Sequence, residues 1–196
     1  MTSDDLDRLR QRGLNLVYAT VAWNAVEGAT AVVAGLLAHS VALTAFGLDS
    51  SIEVFVSLVT LWQMKAATRF RSRVGLRLIG ASFLAVSLYV TVEATRRLVA
   101  GQHAELSLVG IAVTAAAVPV MTGLGVAKHR VARRIGNAIL EAEARFSLVD
   151  ASLSAAVLLG LLADSILGWW WADPAVALIV AGWAIREGLD GLRGRA

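Results

Sequence analysis

Residues 39–62 read HSVALTAFGLDSSIEVFVSLVTLW, a run long and apolar enough to cross a bilayer that nevertheless carries Asp49 and Glu53 at its middle. A carboxylate at the bilayer centre costs about 2.5–3.5 kcal/mol on insertion scales. Spaced i and i+4, the two acids share one face of a helix and repel each other. A chain that keeps such a pair needs a compensating positive charge, and a bound cation or a shared proton supplies it. The stretch therefore points to an all-helical membrane protein and to a candidate cation carrier.

The composition agrees. Of the 196 residues 57% are hydrophobic and 17% charged, with a mean hydropathy of +0.67. Soluble domains run nearer about 45–50% apolar and about 25% charged. With no cysteine, disulfides and thiolate metal sites are excluded, which leaves oxygen and imidazole as strong ligands. Two prolines and seventeen glycines, spread through apolar runs, suit closely packed transmembrane helices. A pI near 9.9 reads as loop charge that sets topology, and no nucleic-acid partner is expected. The opening TSDDLDRLRQR is polar and charged, unlike a cleavable signal. No phosphate-cradling glycine loop, cysteine nucleophile or metalloprotease histidine spacing is present, so no enzyme and no organic cofactor are expected. Without an ATP-binding motif, any transport is driven by gradients.

Six segments are apolar enough to cross about 30 Å of hydrocarbon. They are Leu14–Leu37, Val41–Met64, Leu78–Val99, Leu106–Val126, Ala138–Leu162 and Pro174–Ile185, the last running on through Gly188. They form a single transmembrane domain, a bare helical bundle in which no soluble domain is expected. Fifteen of the lysines and arginines fall at the two termini and in the loops after spans two and four, against Arg96 and Arg97 on the other side. The positive-inside rule then puts both termini in the cytoplasm, with the chain integral to a membrane such as the bacterial inner membrane. Trp169, Trp170 and Trp171 mark the outer boundary, where indole rings prefer to lie.

At about 1.5 Å per residue, Asp49, Glu53, Glu27 and Asp150 all lie roughly 12–18 Å from the outer ends of spans two, one and five. Four acids from three helices thus converge on one slab near the midplane. Asn24, three residues before Glu27, offers a neutral oxygen on the same face, and Glu143 precedes Asp150 by two turns. Spans two and five also share the pattern S-x-x-acid-x-x-x-S, at Ser50–Glu53–Ser57 and Ser147–Asp150–Ser154. Repeated halves of transporters place substrate between such corresponding helices.

At these residues the chain resembles the cation diffusion facilitators, six-span cation efflux carriers that exchange a divalent metal for protons. The resemblance is to their membrane half and covers nearly the whole chain. The family's second span carries S-x-A-L-x-A and then a D/H-S-x-x-D metal pair; here Ser40-Val-Ala-Leu-Thr-Ala45 precedes Asp49-Ser-Ser-Ile-Glu53. Its D-x-x-H-S-x-x-D in span five corresponds to Glu143-Ala-Arg-Phe146-Ser-Leu-Val-Asp150. Its G-W-x-x-A-D-P and glycine-bearing polar end in span six correspond to Gly168-Trp-Trp-Trp-Ala-Asp-Pro174 and Arg186-Glu-Gly188. Phe146 departs from the pattern, replacing a histidine that helps hold zinc, and the cytoplasmic domain many members carry after span six is not expected here.

The resemblance implies a near-tetrahedral metal site between spans two and five, with Asp49, Glu53 and Asp150 as ligands and a fourth from Glu27, Asn24, Glu143 or water. An oxygen-only shell suits Mn²⁺, Fe²⁺ or Mg²⁺, while zinc also accepts carboxylates. The implied cycle is efflux by metal/proton antiport. Crowded acids hold protons until a cytoplasmic cation displaces them, and rocking of the bundle, expected to work as a homodimer, exposes the site outward. The competing readings are a non-transporting metal-binding scaffold and a proton-coupled exporter of small organic cations. Glu143 has an alternative partner in Arg145 or the basic loop, and Glu93 in Arg96 and Arg97 as a local pair. Asp164 and Asp173 read as solvating the outer loop, and His39, His103 and His129 as solvated loop residues. The small-residue run Gly28–Gly35 reads as a packing surface that could serve dimerisation.

Overall fold

Apolar runs that must satisfy every backbone group without water can only coil, and the computed structural model, which describes residues 3–65, 69–102 and 105–193, has helices joined by short turns and no strand among those residues. Its elements are α1 (Ser3–Leu37), α2 (Val41–Lys65), α3 (Arg69–Ala100), α4 (Leu108–Ile135), α5 (Ala138–Leu167) and α6 (Ala172–Arg193). The basic side chains between 65 and 77, with His103 and Arg195, lie outside what is described.

Each expected span has its helix, and the helices outrun the spans. The largest correction is at α4. The segment after Val126, read as a basic loop, is about two and a half further helical turns carrying Lys128, Arg130, Arg133 and Arg134. Nothing in that segment breaks a helix before Gly136, whose φ of 64° ends it in the left-handed region. Among the described residues α1, α2, α4 and α5 are by themselves long and apolar enough to span a bilayer. α6 is not among them, since Asp173, Arg186 and Asp190 interrupt its apolar stretch, and it packs along its length against α3.

α1 with α2, α4 with α5, and α3 with α6 form the closest helix pairs. α1 also packs on α4 and α2 on α5, which closes a four-helix bundle; the α3–α6 pair leans on α2, and α6 touches α5 as well. α2 therefore has neighbours on several sides and is the central helix.

Small residues let the backbones approach. A Cβ on Gly47 would sit 2.6 Å from the Val32 nitrogen, and one on Gly35 would sit 2.6 Å from the Thr44 nitrogen. Gly28 similarly faces the Gly47 carbonyl at 3.0 Å. Gly28 and Gly35 are thus packed inside the chain, against α2, while Val33 between them is exposed. Gly188 meets the Gly80 carbonyl on α3 in the same way, at 3.0 Å.

Two ends of the bundle differ in how they are held. At the tryptophan-run end, the α1–α2 turn passes through His39 at φ 51°. Arg97 of α3 donates to the His39 carbonyl while its Nε holds Glu93 at 3.1 Å, the local pair expected for that acid. Asp173 of α6 is 1% exposed and accepts from Ser40 Oγ, from the Val41 amide at 2.9 Å and from the Ala42 amide at 3.4 Å. Asp173 therefore does not solvate a loop. It caps the start of α2, satisfying amide donors that a helix N-terminus leaves unpaired. At the opposite, basic end, Val17, Leu61, Val131, Ala132 and Leu140 from α1, α2, α4 and α5 close on one another as a purely apolar cluster.

Asp173→Ala should destabilise the fold by about 2 kcal/mol, because it strands buried amides as well as a cap; Asp173→Asn, keeping one acceptor, should lose less. Thermal unfolding of detergent-solubilised protein measures both. Gly47→Val should cost about 1–3 kcal/mol through forced separation of α1 and α2, read by the same assay.

Candidate functional site

Between the apolar cluster at the basic end and a larger one in the other half lies a polar layer built by helical spacing. Thr20, Asn24 and Glu27 recur along one face of α1; Asp49, Ser50, Glu53 and Ser57 along α2; Glu143, Ser147, Asp150 and Ser154 along α5. All are buried. The apolar half above them is formed by Ala31, Phe46, Ala117, Leu153 and Val157 among others. The acids are sealed from both ends.

Convergence in depth is also convergence in space. Asp150 lies within electrostatic reach of Glu53, Glu27 and Asp49, and Glu27 within reach of Glu53. Carboxylates on three different helices thus share one low-dielectric volume. The two oxygens of Glu27, the two of Asp150 and both amide atoms of Asn24 meet no hydrogen-bond partner among the described residues. Asn24 sits beside Glu53 and the Trp23 indole beside Glu27, without reaching hydrogen-bond geometry. Buried polar atoms are nearly always paired, so this concentration of unpaired ones marks a place arranged for something else.

The family model for the cation efflux transmembrane domain matches residues 17–193 of the 196. The chain belongs to the cation efflux family. No curated protein matches it. This cation efflux protein is accordingly a polytopic integral membrane protein and a cation transporter, of a family of metal-ion transporters rather than enzymes.

Of the residues singled out by sequence, Asp49, Glu53, Asp150, Glu27 and Asn24 occupy the layer. Among the described residues no three His, Asp or Glu side chains stand close enough together to enclose an ion in this arrangement. Two of the acids are held on serines: Glu53 Oε1 accepts from the Ser147 hydroxyl at 2.8 Å, and Glu143 Oε1 from Ser57 at 2.8 Å. Phe146, where the family pattern has histidine, stacks on Phe83 with ring centroids 6.4 Å apart; Phe83 in turn meets the Trp183 ring edge-on. Its ring thus fills the seam toward α3 and α6. Asp164 is half-buried at the far end of α5, outside the layer. His39 is exposed in its turn, and His129, on α4 and not in a loop, lies 3.9 Å from Glu141.

The repeat expected between spans two and five exists in a different register. Glu53-Val-Phe-Val-Ser57 and Glu143-Ala-Arg-Phe-Ser147 both read acid-x-x-x-Ser, and on the antiparallel helices each serine donates to the other helix's glutamate.

Sequence reading missed Lys128. It had been grouped with the cytoplasmic basic residues, yet it is 0% exposed. Its ammonium donates to Thr20 Oγ1 at 3.0 Å, to Ser147 Oγ at 2.7 Å and to Glu143 Oε1 at 3.3 Å. The signal was available: Thr114, Ala117, Met121, Gly125 and Lys128 recur at helical spacing on the buried face of α4. The α4–α5 hairpin, turned at Gly136 and started again by the Asn137 side chain capping the Leu140 amide at 3.0 Å, brings Lys128 opposite Glu143.

Removing one member of this pair should leave a buried charge uncompensated. Lys128→Met is expected to cost about 3–5 kcal/mol, and the double variant Lys128→Met/Glu143→Gln to recover most of that loss. A double-mutant cycle on thermal unfolding in detergent measures the coupling.

Proposed function

We propose that this chain exports a divalent metal cation from the cytoplasm in exchange for protons, both termini lying on the cytoplasmic side. Asp49, Glu53 and Asp150 bind the cation, with Glu27 and Asn24 of α1 completing an all-oxygen shell. The observation that carries this reading is the meeting of four buried acids from α1, α2 and α5 in one electrostatic volume, two of them with no protein partner on either oxygen. Glu143, whose Oε1 is engaged by Lys128 and Ser57, stands outside that ligand set.

The chemistry follows from charge. A divalent cation offsets two like charges at once, and its ligands must be ionised to hold it, so binding releases protons and proton binding releases metal. The ligand-bearing side chains are buried and sealed at both ends, which supports reading this arrangement as an occluded one. Loading draws α1, α2 and α5 together around the ion, and a relative tilt of the helices opens one seal or the other. An oxygen shell without histidine favours Mn²⁺, Fe²⁺ or Mg²⁺, with Zn²⁺ still within reach of carboxylates.

Purified protein in liposomes with an imposed pH gradient should accumulate Mn²⁺ or Zn²⁺. Asp150→Asn and Glu53→Gln should each lower that flux at least about tenfold, the loss of one ionised ligand being worth more than about 1.4 kcal/mol. Glu27→Gln should weaken metal affinity with less effect on maximal rate. Flux in Asp150→Asn equal to wild type would sink the assignment.

A further inference from the structure

We propose that Lys128 is a resident counter-ion: it offsets the charge that returning protons leave on the unloaded carboxylates, and so assists the return of the metal-free carrier. The inference rests on the antiport reading above and concerns the metal-free half of the cycle. Once the cation has gone, protons neutralise part of the charge on the acids of α1, α2 and α5, and a fixed cation offsets what remains. Among the described residues Lys128 is the only fully buried cation, and its charge acts on Glu53, Glu143 and Asp150 alike.

Its hydrogen bonds carry the argument further. All three ammonium protons are used, on Thr20 of α1 and on Glu143 and Ser147 of α5. An ammonium has no lone pair to offer, so the Ser147 oxygen must accept from it and the Ser147 proton must point elsewhere, which is to Glu53 of α2 at 2.8 Å. The direction of the relay is thereby fixed: Lys128 to Ser147 to Glu53. One side chain on α4 ties together all four helices of the bundle at the level of the acids. A lysine suits the task, having a flexible stem and three rotatable donors with which to yield when a stronger cation arrives. A structural pair alone needs only Glu143; the reach through Ser147 to a proposed ligand is what that simpler role leaves over.

The test separates two fluxes in proteoliposomes, each with Mn²⁺ and with Zn²⁺ as the probe. Net uptake driven by a pH gradient requires the metal-free, proton-loaded carrier to return. Exchange of labelled for unlabelled metal at equal pH does not. For Lys128→Met/Glu143→Gln, which removes the pair without leaving a lone buried charge, net uptake should fall at least about tenfold and exchange by less than about threefold. Lys128→Arg, keeping the charge, should restore part of the net flux. Loss of both fluxes in proportion, or of neither, overturns the proposal. Wild-type protein that exchanges metal but takes up none under a pH gradient refutes the antiport reading itself.

Discussion

Like charges brought together where water cannot reach them dominate this molecule. Glu27, Asp49, Glu53 and Asp150 come from three helices into one buried layer, and everything nearby can be understood as a response to their repulsion. Serines hold single oxygens, a lysine is drawn in from α4, and glycines allow α1 to press against α2 closely enough for the acids to meet. In a medium of low dielectric such repulsion is screened little. A fold that retains such acids must offset their charge from nearby, which is what the serines and the lysine do.

Much of the architecture was legible because hydrocarbon leaves a chain so few choices. Long apolar runs imply helices, and the spacing of Glu27, Asp49, Glu53 and Asp150 along them implied a common depth that the structure turns into a common place. Features set by tertiary contact were hidden. Asp173 looked like a loop acid because it adjoins three tryptophans; only the approach of α6 to the start of α2 makes it a cap. Lys128 was absorbed into a basic cluster because positive charge near a helix end is usually topogenic. Its burial depends on where α4 stops, and helix ends are where sequence patterns speak least clearly.

The pairing of α2 with α5 shows the same limit at finer scale. A serine–acid echo was visible in both helices, and it aligned Glu53 with Asp150. Antiparallel packing also matches Glu53 and Ser57 with Ser147 and Glu143, an exchange of hydrogen bonds that one-dimensional similarity cannot reveal.

The contrast between the two ends of the bundle has a mechanical meaning. Near the tryptophan run, α3 and α6 reach across with Arg97 and Asp173 to grip the α1–α2 turn by its backbone, and polar bonds of that kind break at a definite cost. At the basic end an apolar cluster joins α1, α2, α4 and α5, with the His129–Glu141 contact beside it, and lipid tails replace apolar contacts almost without penalty. The two ends are therefore held by different forces: directional bonds fix the arms near the tryptophan run, and contacts of no fixed direction close the other end.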